Sequence, residues 1–241
     1  MQDRYVGDIG DFVKYGLLIF LIDDTNLKLG INWYLNLTPN ETGNQDGKYT
    51  GYLQPKRFSN SLQQYNPKLY QQLHEIVFTK KRRSISEIEG GRILPKGTLF
   101  FSDSINYDRD SWHLAALKKL ERADIVFLDP DTGIQTKRMT EARKKSPEYV
   151  LWREIAGYYE RGQSVIVYSR RSRQEESIYR SRFDEVKKLI DKLATTHILR
   201  APRFTTRDFL MLIQPKHTRL MDHKIKNFME SDWKEHFSQL E

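Results

Sequence analysis

The chain has 241 residues, enough for one large domain, and its 38% hydrophobic and 12% aromatic residues can build a sizeable core. It contains no cysteine, which excludes disulfides, thiolate metal sites and cysteine nucleophiles and favours a cytoplasmic location. A net charge of +8 and a pI near 9.4 suit a polyanionic partner such as nucleic acid, although charge alone specifies only non-specific attraction.

The opening stretch from Asp3 to Gly16 is dense in glycine and aspartate. Asp11 is placed to cap a buried helix over about 12–23, whose apolar run Tyr15–Ile22 is too short to span a bilayer, so no membrane contact is expected. Lys14 would stand in the first turn, where the helix dipole disfavours a cation unless an acid or a bound anion compensates; the alternative is a lysine reaching out to solvent. A first central strand is predicted over 29–37, followed by a polar loop from Thr38 to Lys48 that lacks the glycine pattern of a pyrophosphate cradle.

Residues 50–96 read as an insertion or subdomain, with Asn66-Pro67 starting a helix to about 77 and the basic run Lys80, Lys81, Arg82 and Arg83 behind it. Such a run contacts phosphates or is simply a solvated loop. The strand 98–101 delivers Asp103 to its tip, and Asp110-Ser111 caps a helix over 112–122. The next strand runs through Ile125-Val126-Phe127-Leu128 and stops at Asp129-Pro130-Asp131. A buried strand ending in an acid and a proline delivers a carboxylate into the crevice where open α/β sheets bind ligands.

Beyond it lie a basic loop from Lys137 to Lys145 and a helix from Ser146-Pro147 to about 161. The strand 164–168 follows, with Arg170, Arg171 and Arg173 at its carboxyl end. A helix over 174–194, strands 197–200 and 209–213 and a helix over 219–237 complete the chain. The fold class expected is a single α/β domain over 1–241. It has a Rossmann-like, mostly parallel sheet, helices on both faces and a C-terminal antiparallel hairpin. The six histidines lack close pairing, so no zinc site is expected.

This outline resembles class I S-adenosylmethionine-dependent methyltransferases. The segment from Val6 to Tyr15 is similar to the Ala-Gly-Asn-His-Ala-Asp-Val-Leu-Lys-His opening of the bacterial 23S ribosomal RNA adenine-N6 methyltransferases, with Gly7, Asp11 and Lys14 matching in type. Leu128-Asp129-Pro130-Asp131 stands where that family has Asp-Pro-Pro-Tyr, and Val167-Tyr168 where it has Trp-Tyr-Pro. The resemblance implies S-adenosylmethionine held by Gly7, Asp8, Asp11, Lys14, Asn36, Gly47 and Asp103, and a target base presented to Asp129, Pro130, Asp131 and Tyr168. This chain departs from the family where the glycine-rich donor loop gives way to 38–48, and where Asp131 and Thr132 replace the second proline and the tyrosine. Tyr168 or Tyr49 would then have to supply the stacking ring.

The leading expectation is methyl transfer from S-adenosylmethionine to a base amino group of nucleic acid, DNA or RNA. Lys80, Lys81, Arg82, Arg83, Lys137, Arg170, Arg171 and Arg173 would hold phosphates. The competing expectation is a magnesium- or manganese-dependent nuclease or phosphohydrolase using Asp103, Asp129 and Asp131 as oxygen ligands. A third is a non-catalytic nucleic-acid-binding relative.

Overall fold

The computed structural model describes residues 1–36, 47–54, 62–105, 108–139, 141, 145–190, 194–203 and 205–240. Its strands are β1 (Leu29–Asn32), β2 (Leu99–Phe101), β3 (Ile125–Leu128), β4 (Gly133–Ile134), β5 (Tyr149–Val150), β6 (Ser164–Arg170), β7 (Thr195–Ala201), β8 (Arg207–Ile213) and β9 (Ser238–Leu240). Its helices are α1 (Ile9–Ile22), α2 (Pro67–His74), α3 (Ile85–Gly90), α4 (Arg109–Lys119), α5 (Trp152–Glu160), α6 (Glu176–Leu189) and α7 (Pro215–Glu230).

A seven-stranded sheet of order β2-β1-β3-β6-β8-β7-β9 forms the centre, and β4 pairs with β5 beside it. β1, β2, β3 and β6 pair in parallel. β8 is antiparallel to both β6 and β7, and β9 is antiparallel to β7. The expected hairpin is therefore present, with its second strand inserted between β6 and β7. Strand order reverses at β1, which has β2 on one side and β3 on the other, so the crevice at the carboxyl ends of β1 and β3 is a topological switch point.

The unbroken apolar run of β3 follows from burial on both faces. Ile125 and Phe127 join one core with α1, α2, α3 and α7, while Val126 and Leu128 join a second with α4, α5 and α6. All four are fully buried, each worth about 1.5–3 kcal/mol. The region 50–96 supplies Leu53, Leu69, Leu73, Ile76 and Ile88 to the first of these cores and so packs directly on α1 and the sheet.

Helix starts differ from expectation by a few residues because a nearer acid takes the cap. Asp8, not Asp11, caps α1, and Asp108, not Asp110, caps α4. Asn66 caps α2 as the sequence indicates, and Glu75–Thr79 continues α2 as a π-turn. The stretch after Ser146-Pro147 makes one 3-10 turn and β5 before α5 begins at Trp152.

The side chain that orders this last region is Glu154. It is fully buried on α5 and accepts from Arg109 Nε at 2.6 Å, Arg109 Nη2 at 3.0 Å, Tyr34 Oη at 3.0 Å and the Leu151 amide at 2.9 Å. Burial pushes the Tyr34 hydroxyl well above its ordinary pKa, with the Glu154 charge adding to it, so this tyrosine stays a donor. Glu154→Ala would strand the buried Arg109 guanidinium and is expected to cost ~3–5 kcal/mol in urea unfolding. A loss below ~1 kcal/mol would mean the network orients Tyr34 without stabilising the fold.

Candidate functional site at the carboxyl ends of β1 and β3

At the end of β1 the backbone turns sharply. Tyr34 has φ +47°, and its amide donates to Asn32 Oδ1 at 3.1 Å, an Asx-type turn that leads the chain out of the sheet toward the rim. Asn32 is fully buried and its Nδ2 donates to Tyr158 Oη at 3.1 Å. Asn36, further out, donates its amide to the Met1 carbonyl at 3.2 Å. The loop expected to follow, 38–48, lies outside the described residues up to position 46.

At the end of β3, Asp129 projects on the α1 side of the sheet and is 3% exposed. Its Oδ2 accepts from Lys14 Nζ at 2.7 Å, and the same ammonium pairs with Asp11 Oδ1 at 2.8 Å. Lys14 is thus answered by two acids rather than by solvent, which resolves the cost of a cation in the first turns of α1. Its ammonium also lies 5.8 Å from the Trp33 ring centroid. Among the described residues no hydrogen bond reaches Asp129 Oδ1.

Electrostatically the three groups are one unit. Burial raises the pKa values of Asp11 and Asp129, and Lys14 offsets part of that rise in each. Burial opposes the charge of Lys14, yet the two carboxylates together hold its pKa above the ordinary lysine value. The ammonium therefore stays charged while the carboxyls share their protons at higher pH than isolated aspartates.

The glycines and Asp8 shape the approach to this unit. Gly7 has φ +80°, donates its amide to Asp11 Oδ2 at 3.0 Å, and leaves a Cβ position only 2.3 Å from Val77 Cγ2. Gly7→Ala is expected to cost ~1–3 kcal/mol and to loosen Asp11, read by thermal unfolding; an unchanged Tm would show that Val77 gives way freely. Asp8 accepts from the amides of Gly10 at 2.9 Å and Tyr49 at 3.0 Å, which ties 47–50 to the start of α1. Gly47 has φ +84°, and its carbonyl accepts from Arg83 Nη2 at 2.7 Å.

Of the residues the sequence singled out, Asp11, Lys14 and Asp129 meet, and Gly7, Asp8 and Gly47 surround them. Tyr168 stands one residue beyond Val167, the partner of Leu128, and is half-buried beside Phe209 at a centroid distance of 6.1 Å. Tyr49 is 55% exposed at the head of α1. Asp131 is drawn away from Asp129: its Oδ1 lies 2.8 Å from the Met1 amino nitrogen and its Oδ2 accepts from Gln2 at 2.9 Å.

Three expectations need correction. The set Asp103, Asp129 and Asp131 does not form a metal-binding group among the described residues. Asp103 is exposed at the tip of β2, and the other two pair with separate cations. Arg83 is not a free phosphate contact, since it is spent on the carbonyls of Val6 and Gly47. Arg171 lies over the Tyr179 ring and pairs with Glu176, while Lys80, Arg82 and Lys137 pair with nearby glutamates. Lys81, Arg170 and Arg173 are exposed, and Arg170 also has a partner. One buried cation on this rim escaped the sequence reading: Arg207, at the start of β8, is 4% exposed.

The site thus belongs to an α/β protein with a polar cluster at a switch point. No family model matches the chain, and no curated protein matches it. Among solved structures, that of protein LPL1258 from Legionella pneumophila str. Philadelphia 1, of family-model DUF519, is similar. It is 10% identical, with a TM-score of 0.45, over 97% of this chain and 96% of its own.

Proposed function

We propose that the protein transfers a methyl group from S-adenosylmethionine to an amino nitrogen of a nucleic-acid base. The observation that carries this reading is Asp129: a carboxylate at the switch point, fixed through Oδ2 by a buried lysine and with Oδ1 unpartnered among the described residues. An acceptor amine needs such an atom, because one hydrogen bond aligns its lone pair while the amine stays neutral. The sheet order, with an antiparallel strand inserted between the last two parallel-running ones, supports the reading at the level of architecture.

The donor supplies an electrophilic methyl group on a positively charged sulfur. The chain's own residues suit that charge, because Asp11 and Asp129 outnumber Lys14 in the buried unit. Residues flanking the crevice, Asn36 and the Gly47 backbone, would border the donor. Lys14 is a positioning residue, holding Asp129 in one rotamer. Asp129 accepts the amine N–H, and its burial-raised proton affinity lets it take the proton that the amine must lose. Tyr168, half-buried, and Tyr49, exposed, are the rings proposed to stack on a base.

Calorimetric titration with S-adenosylmethionine in the presence of EDTA tests this. Saturable binding, followed by label transfer from the donor to RNA or DNA that is indifferent to chelator, is the expected result. Absence of donor binding to the wild-type chain would overturn the proposal.

A further inference from the structure

Arg207 has no part in the proposed methyl transfer. Its Nε and Nη1 are buried and have no hydrogen-bond partner among the described residues. Arg109 is answered by Glu154, and Arg200 by Asp208 at 2.7 Å and Glu176 at 2.8 Å, whereas Arg4 and Arg182, like Arg207, keep buried nitrogens without a hydrogen-bond partner among the described residues. Asp208, the neighbour of Arg207 in sequence, is committed to Arg200 across the strand. A residue 4% exposed whose guanidinium forms no ion pair among the described residues is unfavourable, so its retention at the head of a strand suits an anion from outside.

The position says which anion. Arg207 shares the α1 face of the sheet with Phe209 and Met211, and its register partner on β6 is Arg170. Its Nη2 comes within 3.1 Å of the space that a side chain at Gly10 would fill, and Asp8 Oδ1 within 3.3 Å of the same space, so the guanidinium sits at the amino-terminal end of α1 beside the acid that caps it. Arg170, which has a partner of its own, is exposed beside it, and Arg173 and Arg203 are exposed as well. From Asp129 to Arg207 is two strand spacings and two residues, roughly 12 Å between Cα atoms at ~4.8 Å per strand and ~3.3 Å per residue. The donor crevice lies on the other side of Asp129, between β1 and β3.

We infer that Arg207 binds a backbone phosphate of the polynucleotide whose base is presented to Asp129, with Arg170 alongside. This rests on the proposed function for its substrate, but the anion site itself does not. The guanidinium donates to the phosphate oxygens through Nη2, which is not among its sealed nitrogens, so one contact both places the substrate and answers the charge.

The test has two arms, each with wild type, Arg207→Gln and Arg207→Lys. In the first, thermal unfolding is followed while inorganic phosphate is titrated at constant ionic strength. Wild type and Arg207→Lys are expected to gain in Tm, and Arg207→Gln is expected to start higher and gain nothing. In the second, fluorescence anisotropy of a labelled 12-nucleotide RNA is followed across salt concentrations. Arg207→Gln is expected to weaken binding about 10-fold and to reduce the log–log salt slope by ~0.7, the value for one phosphate on a single strand. S-adenosylmethionine affinity is expected to stay unchanged in both variants. Equal responses of wild type and Arg207→Gln in both arms would overturn the inference. So would a loss confined to S-adenosylmethionine affinity, which would assign Arg207 to the donor carboxylate. A phosphate response without RNA binding by the wild type would keep the anion site and overturn its assignment to a polynucleotide.

Discussion

Lys14→Met is expected to lower the unfolding free energy by ~3–5 kcal/mol near pH 8, with a smaller loss near pH 5. The side chain is 3% exposed and supplies the ammonium shared by Asp11 and Asp129, so its removal leaves two carboxylates facing each other in the core. Both acids already have pKa values raised by burial, and losing Lys14 raises them further. An acid with a raised folded-state pKa binds more protons folded than unfolded between its unfolded value, about 4, and its folded one. Stability is then fully present below about 4 and falls as pH rises through the folded-state value, so the variant gains relative stability on acidification. Urea unfolding at the two pH values reads the effect directly. A loss equal at both would mean that the carboxylates are not what Lys14 compensates.

Both halves of this triad were visible in the sequence, but not their meeting. Lys14 in the first turns of a buried helix called for an acid or a bound anion, and Asp129 at the end of an apolar run marked a carboxylate delivered into a ligand crevice. Only the fold, which lays α1 across the carboxyl ends of β1 and β3, makes each the answer to the other. Elements with strong periodicity or a continuous apolar run were legible, because β3, β6, β8 and α6 carry their own signals of burial. Caps were legible only to within a turn: Asp8 and Asp11, or Asp108 and Asp110, offer the same chemistry two or three residues apart, and tertiary contacts choose. The basic residues misled most. Arg83 and Arg171 look like solvated cations in one dimension and are tied to carbonyls, a ring and a glutamate in three. Arg207, in Thr-Thr-Arg-Asp-Phe, gives no sign in sequence that it is buried and Asp208 paired elsewhere.

Asp129→Asn separates the chemical role of the site from its structural one. The amide keeps the shape of the side chain and can still accept from Lys14 through its oxygen. The folded chain is therefore expected to persist with a stability change well under that of Lys14→Met. What it loses is the charge on the atom facing the substrate. If the free Oδ1 aligns and discharges the amine, turnover is expected to fall ~10²–10³-fold, the scale for removing one preorganised hydrogen-bond partner of the transition state, while donor affinity changes little. The pH profile sharpens the test. Asp129 must be ionised to accept, and burial, partly offset by Lys14, raises its pKa, so wild-type turnover is expected to decline as pH falls through that raised value. In Asp129→Asn that acidic limb disappears, because the residual rate no longer depends on an ionisable group at this position. A variant with full turnover, or one that keeps the limb unchanged, would take the acceptor role away from Asp129. The acid would then serve only to bury Lys14, a role that Lys14→Met measures independently.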